Sequence, residues 1–123
     1  MRGRKGEVQK FSIEAVAKQQ LERARQAPAA RSATTVFGGH EHALRQTVVG
    51  LKAGAVLAEH DNPGEATLFV IAGRVTLKAD DDAWDGRAGD MIVVPTQRHS
   101  VTAEEDSAIL LTAVPRNRSG TEG

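Results

Sequence analysis

Arg74-Val75-Thr76-Leu77-Lys78-Ala79 alternates without a break between polar and apolar side chains. Successive side chains of an extended strand point to opposite faces, so the hexapeptide predicts a strand with Val75, Leu77 and Ala79 in a core. Arg74, Thr76 and Lys78 then meet water. Gly73 supplies the tight turn before this strand, and Asp80 to Asp82 turn the chain toward Trp84 after it. On both sides, short runs rich in Val, Ile, Leu and Thr recur, separated by Gly, Pro, Asn and Asp about every 8 to 12 residues, the punctuation of a sandwich or barrel. Strands are predicted near Thr34 to Phe37, Ala43 to Leu51, Val56 to His60, Thr67 to Ile71, Arg74 to Ala79, Met91 to Val94, Ser100 to Ala103 and Ala108 to Val114.

One segment follows another period. Between Ser12 and Ala27, the apolar residues Ile13, Val16, Ala17, Leu21 and Ala24 recur at the spacing of an amphipathic helix. Ser12 is its N-cap, Glu14 suits the first turn, and Pro28 marks the end. A helix this short is marginal alone in water, so its stripe must cover either the barrel or a second subunit. The predicted organisation is a disordered basic tail over residues 1–10, the helix over 11–28, a β-barrel over 32–115 and a disordered tail over 116–123.

The 123 residues suffice for one domain with one core. Hydrophobic residues make up 40% and charged residues 26%, a globular balance. Lys plus Arg equal Asp plus Glu at 16 each, so the surface as a whole attracts neither nucleic acid nor anionic lipid. Aromatic residues reach only 3%, too few for a platform that stacks bases. The absence of cysteine excludes disulfides, thiolate zinc sites and cysteine nucleophiles, so any metal must use His and oxygen ligands. Neither an apolar run of a secretory signal nor the roughly 18 apolar residues of a bilayer span is present, which predicts a cytoplasmic chain.

Two stretches between Gly54 and Ala103 resemble the paired motifs of the cupin superfamily. The first cupin motif runs Gly, five residues, His-x-His, three or four residues, Glu, six residues, Gly. Gly54, His60 and Gly73 fall at these intervals, with Asn62 where the second His belongs and Ala66 where the Glu belongs. The second motif runs Gly, five residues, Pro-x-Gly, two residues, His, three residues, Asn. Gly89, Pro95 and His99 match it, while Gln97 replaces a Gly, His99 comes one residue early, and Ala103 holds the Asn position. The resemblance implies an all-β fold, a double-stranded β-helix or jelly-roll barrel, here with an N-terminal helix. It also implies a ligand site inside the barrel mouth and a homodimer.

A cupin metal site needs side chains from two strands to converge, because two or three imidazoles hold a divalent ion where one cannot. Residues 60 and 62 share a face of an extended strand, so His60 and Asn62 are expected to point inward, opposite His99. Glu65 is one residue out of phase with position 66, and is expected on the surface. His42 precedes a run in which Leu44, Gln46 and Val48 share its parity. If that parity is inward, His42 and Gln46 reach the interior and complete a set of three imidazoles. Ser100 and His99 cannot form a catalytic pair, since neighbours on one strand point apart.

These residues support a small-molecule-binding protein whose pocket is lined by His60, Asn62, His99, Gln46, Leu68, Val70 and Val101. A divalent transition metal (Fe, Mn, Ni, Cu or Zn) would use His60, His99 and His42. The alternative is a metal-dependent oxygenase, isomerase or lyase acting on a small polar metabolite. No nucleic-acid or membrane partner is expected.

Overall fold

The computed structural model describes residues 8–60 and 64–114, the side chains of residues 59 and 60 excepted. Helix α1 (Ile13–Gln26) begins at Ser12, whose hydroxyl accepts a hydrogen bond from the Ala15 N–H at 3.2 Å. Glu14 in its first turn and Arg23 and Arg25 in its last complement the helix dipole. Among the described residues nine strands follow. They are β1 (Arg31–Phe37), β2 (Arg45–Leu51), β3 (Val56–His60), β4 (Glu65–Ala72), β5 (Arg74–Ala79), β6 (Asp82–Arg87), β7 (Met91–Val93), β8 (His99–Ala103) and β9 (Ser107–Val114).

The strands form two antiparallel sheets, one ordered β1-β2-β9-β4-β7 and the other β3-β8-β5-β6. Only β1–β2 and β5–β6 stay within one sheet, and every other connection crosses between sheets, which is jelly-roll connectivity. Gly73 makes one such crossing with φ +85°, and a Cβ there would collide with the Asp106 carbonyl oxygen and the Ser107 hydroxyl. The core lies between the sheets. Val49 and Leu51 of β2, Leu68 and Val70 of β4 and Ile109 of β9 meet Val75 and Leu77 of β5 and Val101 and Ala103 of β8.

Two expectations are corrected here. The segment after Asp82 is a strand, β6, paired with β5 from Arg74↔Arg87 to Ala79↔Asp82. Its Asp, Ala and Gly content is poor in strand formers, and pairing with β5 overrides that preference. Thr76 is also buried rather than solvated, because its hydroxyl lies 2.9 Å from Asp85 Oδ1 and 2.8 Å from Glu104 Oε2. The Thr76 hydroxyl, and then Arg74, hold the Asp85 carboxyl below its usual range.

Helix α1 packs on the outer face of the five-stranded sheet. Ala17 joins Val48 of β2 and Ala108 of β9, flanked by Ile13, Val16, Val36, Ile71 and Leu110. Gly50 allows this approach, since a Cβ there would collide with the helix backbone at Gln20 and Leu21. Gln20, which the apolar stripe omits, is buried, and its Oε1 accepts from the Ser32 hydroxyl at 2.6 Å. Asp106, just before β9, ties the helix end to the β2–β3 turn. Its carboxylate accepts from the Ala53 N–H at 2.8 Å and from Arg25 Nε at 3.0 Å.

Candidate functional site

Strand β8 alternates cleanly, with His99, Val101 and Ala103 buried and Ser100 and Thr102 half-buried. His99 therefore belongs to the core side of the four-stranded sheet, with only 5% of its surface exposed, and Ser100 to the other side. The His99 Nδ1 atom lies 3.0 Å from the Gln97 carbonyl oxygen. A carbonyl oxygen only accepts, so Nδ1 carries the hydrogen, and in the neutral ring the lone pair sits on Nε2. This is how metal-binding histidines are commonly oriented, by a carbonyl or carboxylate behind the ring. Sequence reading could not find Gln97, because any residue offers a backbone carbonyl.

The partner strand brings position 60 opposite His99. Strand β3 pairs with β8 through Val56↔Thr102, Leu57↔Val101 and His60↔His99, with a shift of register between Leu57 and His60. Three residues on β3 span two on β8, so one is a bulge. Unbroken pairing from Leu57 would have placed residue 59 opposite His99. The bulge puts residue 60 there. Asn62 lies outside the described residues.

The other candidates separate from this pair. In β2 the odd-numbered Val49 and Leu51 enter the core between the sheets, while Val48 meets the helix. The parity of Gln46 is therefore the outward one, and its Nε2 donates to Thr112 Oγ1 at 3.2 Å. His42 is exposed, with its ring centroid 4.6 Å from that of Phe37. The condition for a third imidazole, an inward even-numbered face of β2, is not met, because α1 covers that face. Among the described residues, no group of three or more His, Asp or Glu side chains could hold a metal ion.

Ala66 packs against the core and Glu65 is exposed, as their phase dictates. The position where a cupin carboxylate would stand thus offers a methyl group. Leu68 and Val70 are fully buried and Val101 nearly so, forming packed core rather than an open wall.

The model of the cupin domain matches residues 47–115. No curated protein matches the sequence. Solved structures do match. The SPY1581 protein of unknown function from Streptococcus pyogenes superposes with a TM-score of 0.66 at 23% identity, over 76% of this chain and 85% of that one. An RmlC-like cupin protein from Desulfovibrio desulfuricans gives 0.61 at 25% identity, over 70% and 84%. KdgF from Halomonas sp. gives 0.62 at 23% identity, over 74% and 84%. More than half of the chain falls within the cupin domain match, and the two-sheet jelly roll agrees with it: this chain belongs to the cupin family.

Proposed function

We propose that this cupin binds a small molecule at the end of the sandwich where positions 60 and 99 face each other. The observation that carries the reading is the buried His99 imidazole, oriented by the Gln97 carbonyl so that Nε2 holds the lone pair. Such a nitrogen accepts a hydrogen bond from a ligand N–H or O–H, or binds a metal. Its register partner on the adjacent strand is His60, whose imidazole would be the second of the site.

A divalent transition metal would have His60 and His99 as its ligands and would be held weakly. Two imidazoles suit Fe, Mn, Ni, Cu or Zn, while the amide of Asn62 is a poor ligand and Ala66 removes the carboxylate. When bound, such an ion supplies Lewis-acid chemistry, and the arrangement of His99 favours, as a second reading, a metal-dependent oxygenase, isomerase or lyase acting on a small polar metabolite. In either case the Gln97 carbonyl, 3.0 Å from Nδ1, would fix the orientation of the His99 ring toward the ligand. The homodimer rests on the family resemblance, and light scattering against the 13.1 kDa chain decides it.

The test is a thermal-shift screen of small polar metabolites on protein purified without an affinity metal, with elemental analysis of the same sample. A ligand at a hundred times its dissociation constant stabilises by about 2.7 kcal/mol, a shift of several degrees. The expected result is a hit on the wild type that disappears in His99→Gln, which keeps a polar side chain of similar reach. A hit that survives in His99→Gln, or no hit with or without added metal, removes the reading. Stoichiometric metal lost in the same variant favours the enzyme; trace metal favours the binding protein.

A further inference from the structure

We propose a second ligand site, separate from the histidine pair, in the apolar cavity between the β6 and β7 edges, which takes a neutral, ring-bearing small molecule. Trp84, Ile92, Val93 and Pro95 line a cavity of about 300 Å³. β6 ends one sheet and β7 ends the other, so the cavity lies along the open side of the sandwich. Trp84 is the cross-strand partner of Leu77, which in turn pairs with Val101. His99 is two residues from Val101 on the same strand face. Two strand spacings and two residue steps therefore separate Trp84 from His99, about 12 Å between Cα atoms.

Three features define the occupant. Among the described residues the lining carries no charged side chain, so a charged ligand would lose its hydration without compensation. The volume lies at the lower end of the roughly 300–1,000 Å³ of small-molecule pockets and is about twice the 150 Å³ that accommodates benzene in an apolar cavity. One or two rings fit. Trp84 leaves 42% of its surface exposed, a large indole face for offset stacking with a ring. A second copy of the chain is a poor occupant, since a stable dimer buries about 800 Å² per partner and four lining residues offer less.

Gly86 shapes the inner wall. A Cβ there would approach Ile92 Cδ1 and Val70 Cγ2, each at 3.1 Å, so the bare glycine lets Ile92 close the cavity from the core side. Val93 stands on the outer rim, 70% exposed, where a substitution leaves the core intact.

The chain has one tryptophan and no tyrosine, so fluorescence excited at the indole band reports this cavity alone. The probes are cyclohexanol and benzyl alcohol, both neutral rings, with benzoate as the charged counterpart. The expected result is a saturable shift of Trp84 emission with the two alcohols, half-complete at about 1 mM, and at least a tenfold weaker response to benzoate. Val93→Glu, which places a carboxylate at the rim, should abolish saturation without changing the melting temperature. His99→Gln should leave the alcohol response unchanged, so that the two sites fail independently. A linear response without saturation overturns the proposal, as does a saturable response indifferent to Val93→Glu. So does emission that changes with protein concentration in step with dimerisation, which would assign the cavity to a second copy.

Discussion

A single backbone carbonyl decides what His99 can do. With Nδ1 donating to Gln97, a neutral ring carries its lone pair on Nε2. That His99 is a candidate was legible from the Gly89-to-His99 spacing, but its carbonyl partner was not, since that depends on how the loop before β8 folds back. Asp106 offers a sharper test of a single side chain. The Ala53 N–H, and then the Arg25 guanidinium, hold its carboxyl below the ordinary value of 3.8. A carboxyl depressed in the folded state stabilises the fold above its unfolded value, and that contribution is lost as pH falls through the folded value. Asp106→Asn should therefore be less stable than the wild type at pH 7, with the gap closing below about pH 4. Urea titrations at pH 7 and pH 3 measure it; a gap that stays constant would show that the charge contributes nothing.

At the scale of elements, the helix is the best-read and the sheet edges the worst. Ser12, Glu14 and the apolar stripe announce α1 from local sequence, because caps and periodicity act over a few residues. Its seat on the sheet depends on Gly50, thirty residues from Gln20. Gly50→Ala puts a methyl group into the helix backbone and should cost about 1–3 kcal/mol, as overpacking does, with the loss read from chemical denaturation. A change within about 0.5 kcal/mol would mean that the helix lies elsewhere in solution. Strand β6 escaped notice because Asp82, Asp85 and Gly86 are weak strand formers, and only pairing with β5 makes them extended. The β3 bulge escaped for a related reason, since an extra residue is visible only when the partner strand is known.

For the molecule as a whole, the interleaved jelly roll sets the folding rate. β2 pairs with β9, and the Gln46–Thr112 bond joins residues 66 apart in sequence. Such non-local pairing must close long loops before contacts compensate, so refolding should take about milliseconds to seconds. Stopped-flow fluorescence of Trp84 follows it, and complete recovery within the dead time would contradict the topology. By itself, the sequence determined the helix and every strand but β6, that one side of the Arg74–Ala79 strand is core, and that two spaced glycine–histidine motifs belong to a cupin. These properties arise from side-chain alternation, turn residues and caps, all carried by near neighbours. Only the tertiary structure decided that a bulge in β3 brings residue 60 opposite His99, that the face of β2 bearing Gln46 meets the helix, and that Trp84 borders a cavity. Each of these depends on register between strands distant in sequence, and a slip of one residue exchanges every inward side chain for its outward neighbour.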